Sequence, residues 1–303
     1  MRFKARLSNE KLMAFHGVLS TLEKICSRCV VHLSEDNVRF AGLKDSRSED
    51  VMPYTELNQT ELFMEWRIES QSDNCILFEI ALQNFLDALN SAKKAPQCQL
   101  KLTKRKGQPV LCVETRAMDV DVVHDIPVNV MRASEYEYYR PPDVPQPQVQ
   151  LELPNSKGFK NVVDRLKNIS RNVFLHGDMA GSLTLRSQTE SVCIKTFFTS
   201  LTPRFESLEE EECSGNKCVL KVDSKKLAMV LHAYNFLRFN AIIMCMIKDH
   251  SLILHVLLEP AASGTLTFYL PIVPLLNEDQ EDDEQGGADE NGREWGNGAM
   301  QDE

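Results

Sequence analysis

Four times along this chain an alternating run gives way to helical spacing and then to further alternating runs, and this recurrence constrains the fold most. In the first unit Arg2–Leu7 alternates, and Phe15, Val18, Leu19, Leu22, Ile25 and Cys26 then fall at helical spacing over about 9–26. Strand-like runs follow at 29–33 and 38–43. The second unit has strands near 62–69 and 75–80, a stripe of Leu82, Phe85, Leu86 and Leu89, and strands near 99–104 and 110–116. The third unit has a strand at 149–153, a helix at 156–170 and strands at 172–177, 182–188 and 191–198. The fourth has a strand at 217–222, a helix at 224–235 and strands at 241–248, 251–259 and 265–272. Few short helices among many strands imply an α+β fold, with helices on one face of antiparallel sheets. A doubly wound parallel sheet needs a helix in nearly every crossover, and these connections are too short.

Composition marks the boundaries. Residues 131–148 hold four prolines and no periodicity, which predicts an extended linker between an amino-terminal unit at 1–130 and a second at 149–276. Residues 277–303 carry eleven acids against one base, Arg293, and almost no apolar side chain, so they are expected to be a disordered acidic tail. Removing those from 44 acids and 34 bases leaves 33 of each, so the body is neutral although the whole chain is at −10. No apolar run reaches the ~18–20 residues of a membrane span, and the opening segment lacks the apolar stretch of a secretory signal. Nine scattered cysteines fit a reducing compartment better than a disulfide framework.

Chemistry is hard to assemble from these residues. His124 and Asp125 are adjacent on a strand and point to opposite faces. His176 and Asp178 share a face but lack convergent partners, so a nuclease or hydrolase built on these four is the weaker reading. Cys26 and Cys29 have a zinc-like spacing that Cys213 and Cys218 could complete, but Cys26 belongs to an apolar stripe. Neither a phosphate-binding glycine loop nor any other cofactor motif is present, and no cofactor or metal is expected.

The helices carry a better signal. On the third, Lys157, Lys160, Lys167 and, just beyond, Arg171 project opposite the arc of Phe159, Val162, Val163, Leu166 and Ile169. Lys24, Arg28, Lys94 and Lys225 lie opposite the apolar arcs of the other helices, whereas Lys11 and Lys93 fall on the apolar side. The four helices sum to +6 in a neutral body, which predicts a shared basic surface for phosphates.

The opening MRFKARL, HDIPV at 124–128, PQPQVQLELP at 145–154, VVDRLKNIS at 162–170, DMAGSLTLRSQTESVCIKTFF at 178–198 and TFYLP at 267–271 resemble one family. It is the Hus-type subunit of the heterotrimeric Rad–Hus–Rad (nine-one-one) DNA-damage checkpoint sliding clamp, and the likeness covers roughly 1–272. The resemblance implies a non-catalytic, nuclear ring subunit (cytoplasmic before assembly) of two clamp domains, with two other Rad-type checkpoint-clamp subunits as partners. It implies loading by a clamp loader at DNA damage, helices lining a hole for double-stranded DNA without sequence specificity, and recruitment of checkpoint-signalling and repair proteins in the cell cycle. Neighbours would pair through edge strands near 119–128 (Asp119, Val120, Asp121, Val122, Val123) and 191–198 (Ser191, Val192, Cys193, Ile194, Lys195). The linker would lie over the face where clamps hold partner peptides. A homotrimeric processivity clamp or another checkpoint-clamp member is the alternative within the same fold.

Overall fold

The computed structural model describes residues 1–43, 51–93, 95–116, 120–205 and 216–275. The acidic tail, Lys94, Asp119 and Cys213 lie outside the described residues. The first half runs β1 (Arg2–Ser8), α1 (Asn9–Glu23), β2 (Arg28–Leu33), β3 (Asn37–Gly42), β4 (Met52–Asn58), α2 (Gln59–Leu62), β5 (Glu65–Glu69) and β6 (Ile76–Ala81). It continues with α3 (Leu82–Ala92), β7 (Gln97–Arg105), β8 (Gln108–Arg116), β9 (Asp121–Pro127) and β10 (Asn129–Met131). After a 3-10 turn at Ala133–Tyr139 come β11 (Val149–Leu153), α4 (Gly158–Leu166), β12 (Asn172–Asp178), β13 (Leu183–Gln188), β14 (Cys193–Phe198) and β15 (Thr202–Pro203). The chain closes with β16 (Lys217–Asp223), α5 (Ser224–Val230), α6 (Ala233–Phe236), β17 (Phe239–Ile247), β18 (Ser251–Leu258) and β19 (Gly264–Val273).

Every strand pairing is antiparallel. One sheet has the order β5-β1-β7-β8-β9. The other strands join into one hydrogen-bonded system, because β4 of the first half pairs with β19 of the second. Outward from this seam run β3, β2, β6 and β10 on one side and β18, β17, β11 and β15 on the other. The strands β14-β13-β12-β16 attach where Lys221 and Val222 meet Val273 and Ile272.

The repeat read from the sequence is exact in its wiring. Leu82, the first residue of α3, donates its N–H to the Ser27 carbonyl, and Ser224, the first of α5, donates to that of Arg171. The helices form one row on the core side, with α1 against α3 and α6, and α4 against α5. Each buries a stripe, such as Leu12, Phe15, Leu19 and Leu22 on α1, and Phe159, Val163 and Leu166 on α4. Ser8 caps α1 by accepting from the Lys11 N–H, and Asp223 caps α5 by accepting from Lys225 and Lys226.

The fourth helix, expected as one at 224–235, is two, α5 and α6, and two further features differ from the sequence expectation. The third helix ends at Leu166 instead of 170, so Ile169, assigned to its apolar arc, lies in the following turn and is exposed. The linker is only partly extended, because the Glu135 carboxylate accepts from the Arg132 N–H and closes a 3-10 turn.

Gly17 sits where α1 meets α6. A Cβ there would stand 2.4 Å from the Phe236 carbonyl oxygen, which cannot retreat as a side chain would. Gly17→Ala is expected to destabilise the chain by about 1–3 kcal/mol, the usual cost of overpacking, seen as an earlier midpoint in urea unfolding.

Candidate functional site

Four surfaces qualify: two of the free sheet edges, the exposed side of the helix row, and the strap that crosses the seam. The edges belong to β9 and β14, the terminal strands of their sheets among the described residues. On β9, Val122, His124 and Ile126 turn toward the core while Asp121, Val123 and Asp125 face out. On β14, Ile194, Thr196 and Phe198 turn inward while Cys193, Lys195 and Phe197 face out. Val123 and Phe197 are 49% and 57% exposed, unusual for large apolar side chains on a strand. The strands are shorter than expected: Val120 precedes β9, and Ser191 and Val192 belong to the turn in which the Thr189 N–H donates to the Val192 carbonyl.

The helix row distributes its bases unevenly. Lys157, Lys225 and Arg165 are exposed, and no described carboxylate pairs with them. The 100° projection does not single out Arg165. Arg171 is exposed just past α4, with Asp223 at 3.6 Å, and Lys24 is exposed beside Glu23. Arg28 is not a helix residue; it opens β2 and pairs with Glu79.

Lys160 requires a correction. It is only 8% exposed, its ammonium is bound by Asp164 one turn on, and Lys167 reaches the same carboxylate at 2.6 Å. The projection assumes that a helix is covered on one side, whereas α4 also packs against α5 and Lys160 is buried in the folded chain. Burial raises the Asp164 carboxyl pKa, but Lys160 and Lys167 outweigh it and hold the group below its ordinary range. The pKa of His232, just after α5, is lowered by burial and then by Lys160, Lys167 and Lys24, with Asp164 opposing. Positive potential therefore gathers where the helices of the two halves meet.

The residues proposed for hydrolytic chemistry are dispersed. The His124 Nε2 lies 2.7 Å from Ser91 Oγ, which also donates to the Ala88 carbonyl, and this ties α3 to β9. Asp125 pairs with Arg105 at 3.1 Å on the other face. Asp178 caps a turn by accepting from Ala180 and Ser182, and His176 stands on β12 in the other half. Cys26 and Cys29 are fully buried, and burial pushes the Cys29 thiol well up. Among the described residues no three His, Cys, Asp or Glu side chains gather as a metal site requires.

The strap was legible only as a proline-rich linker. Tyr136 stacks on His32 with ring centres 3.9 Å apart, and the Arg140 guanidinium lies over the Tyr136 ring. Arg39 holds both the Tyr136 hydroxyl and Glu56. Val144 then packs on Cys245, Ile247 and Ile253, so the strap spans the seam. Beneath it a cavity of about 290 Å³ opens between Tyr136, Tyr139, Tyr54, Tyr269, His32 and His255. Two buried atoms on its wall, His32 Nδ1 and Thr55 Oγ1, have no hydrogen-bond partner among the described residues. A polar group entering the cavity would satisfy them.

Burial, then Arg39 and Arg140, lower the His32 pKa from 6.5 to about 4, with Glu56 opposing. Between these values the unfolded chain binds a proton that the folded chain refuses, so His32 costs stability as pH falls from 6.5 toward 4 and nothing further below. His32→Phe keeps the stack on Tyr136 and is expected to flatten that part of the stability profile by up to about 3 kcal/mol, read from urea melts at pH 7 and pH 4.5.

The fold has known counterparts. PCNA from Thermococcus kodakaraensis superposes with a TM-score of 0.67 at 18% identity, covering 89% of this chain and 100% of that one. Proliferating Cellular Nuclear Antigen from Entamoeba histolytica gives 0.67 at 12% identity, covering 90% and 99%. The sliding-clamp fold expected from the sequence is therefore the fold observed. In sequence the chain is 29% identical over 279 residues to the checkpoint protein hus1 homolog of Dictyostelium discoideum, spanning 90% of this chain and 99% of that protein. It is 30% identical over 242 residues to checkpoint protein HUS1 of Homo sapiens, spanning 76% and 86%. The family model described as Hus1-like protein matches residues 1–274, and the chain belongs to the Hus1-like family.

Proposed function

We propose that this chain is a non-catalytic subunit of a heterotrimeric checkpoint clamp that encircles double-stranded DNA, with 1–130 and 149–276 as its two clamp domains. The seam carries this reading. Within the chain, β4 of one half pairs with β19 of the other. Their counterparts in the repeat, β14 and β9, are free, so the pairing that joins the halves is available at both ends for neighbouring subunits. Three two-domain chains joined head to tail close a ring. The partners are two further checkpoint-clamp subunits, and a loader opens the ring at damaged DNA in the nucleus.

The mechanism is topological. A closed ring stays on DNA without gripping it, so the lining needs only weak, salt-sensitive contacts to phosphates. Lys157, Arg165, Arg171, Lys24 and Lys225 supply such contacts without reading bases. The cavity under the strap receives peptide segments of repair and checkpoint proteins, with Tyr54, Tyr136 and Tyr269 supplying apolar contact and His32 and Thr55 the polar ends. Dispersal of His124, Asp125, His176 and Asp178 supports a role without catalysis.

Mass measurement of the purified assembly is expected to give one copy of this chain with two different subunits; a stable homotrimer of this chain alone would overturn the reading. Within the ring, Lys157→Glu, Arg165→Glu and Arg171→Glu together are expected to cut DNA retention at low salt. The salt dependence is expected to shrink by roughly one unit of slope for each phosphate that is no longer neutralised. Lys160→Glu would set two carboxylates together under α5, so its expected effect is a lower melting temperature. Equal retention by the triple variant and the parent would remove the helix row from DNA binding.

A further inference from the structure

Because the halves repeat, the seam inside the chain specifies the register at which its free edges meet other strands. Ala81 and Asp223 each immediately precede a helix, and they lie opposite Arg28 and Asn172. Counting along these strands makes His32 equivalent to His176. From there the ladders run His32, Arg39, Glu56 in one half and His176, Thr184, Phe197 in the other. Phe197 therefore occupies the place of Glu56, Lys195 that of Tyr54, and Cys193 that of Met52. On the other edge, Asn129 lies opposite Glu79 as Val273 lies opposite Lys221. Asp121, Val123 and Asp125 thus take the places of Thr265, Thr267 and Tyr269.

In the seam the outward pairs are Thr265 with Glu56, Thr267 with Tyr54 and Tyr269 with Met52. Transferred to two copies of this chain, that register sets Asp121 against Phe197 and Val123 against Lys195. Each pairing confronts a charge with an apolar group and suits neither. The seam also ends on Gly264, where a Cβ would stand 2.1 Å from the Glu56 carbonyl oxygen. The equivalent position on the free edge is Val120, which carries the side chain the seam forbids. Asp121 already lies opposite Arg116 on β8 and Asp125 pairs with Arg105 at the end of β7, leaving Val123 as the unmatched group on β9. Lys195 lies opposite another base, Arg186, and no described carboxylate pairs with it, so a carboxylate on a partner strand would meet it.

Building on the ring reading above, we propose that β9 and β14 are matched to two chemically different partner strands and mismatched to each other. The strand received by β9 sets an apolar side chain on Val123 and a polar one beside Asp121. The strand received by β14 sets a carboxylate on Lys195 and an apolar side chain on Phe197. This complementarity fixes the order of subunits in the ring and keeps this chain from closing on itself.

The test uses the full chain. Binding to each of the other two clamp subunits would be measured separately by surface-immobilised titration. Val123→Lys is expected to weaken binding to one subunit at least tenfold and leave the other unchanged, and Lys195→Glu with Phe197→Asp to do the reverse. Variants that weaken both bindings equally, or neither, overturn the proposal while the ring reading stands. A parent chain that binds neither subunit removes the ring reading, and self-association then still judges the mismatch. For that arm, Val120→Gly, Asp121→Val and Val123→Asp together put valine on Phe197 and aspartate on Lys195. This triple variant is expected to self-associate with concentration in light scattering, where the parent stays monomeric. If it stays monomeric with the parent's circular dichroism and melting temperature, the mismatch is not what keeps copies apart.

Discussion

The pairing of β4 with β19 is the constraint on which the rest of the structure depends. It joins residues 52–58 to residues 264–273, about 210 positions apart in the sequence, through backbone hydrogen bonds that tolerate little offset. Once this register is set, the two halves share one sheet, and their helices must lie in one row on its core side. The row closes where Gly17 lets α1 approach the backbone of α6, and the seam closes where Gly264 lets β19 approach β4. Tyr54 and Tyr269 meet edge to face across the seam at 5.5 Å, and the strap crosses above them. Function follows from the same constraint, because a pairing used once inside a duplicated chain leaves the other copy of each edge unused.

Electrostatics in the helix row shows how packing revises charge patterns. A single helix in water would present Lys157, Lys160 and Lys167 together. In the row, Lys160 is buried, and Lys160 and Lys167 share the Asp164 carboxylate and lower its pKa. Exposed positive charge moves to Lys157, Arg165 and Arg171 at the margins of α4 and to Lys24 and Lys225 on its neighbours. The surface remains basic, but its members change, and the difference decides which substitutions probe the proposed DNA contacts and which probe folding.

The sequence by itself determined the local structure and the duplication. Period-two and helical spacing located the core stripes of α1, α3 and α4, the strands of the second half and the proline-rich linker, because burial on one face of an element writes its own period into the chain. The characteristic runs, taken together, pointed to the family. The sequence did not reveal β4, where Pro53 interrupts a strand-like run, nor the close approach that Gly17 permits. It could not show that Tyr136 closes a cavity over His32, because stacking between residues so far apart leaves no spacing signal. The burial of Lys160 and the register that sets Thr267 opposite Tyr54 across the seam were likewise decided only by tertiary structure. Periodicity reports which face of an element is buried against its own sheet; which neighbour covers a flank, and which residue lies across a seam, depends on contacts between segments that the chain order keeps apart.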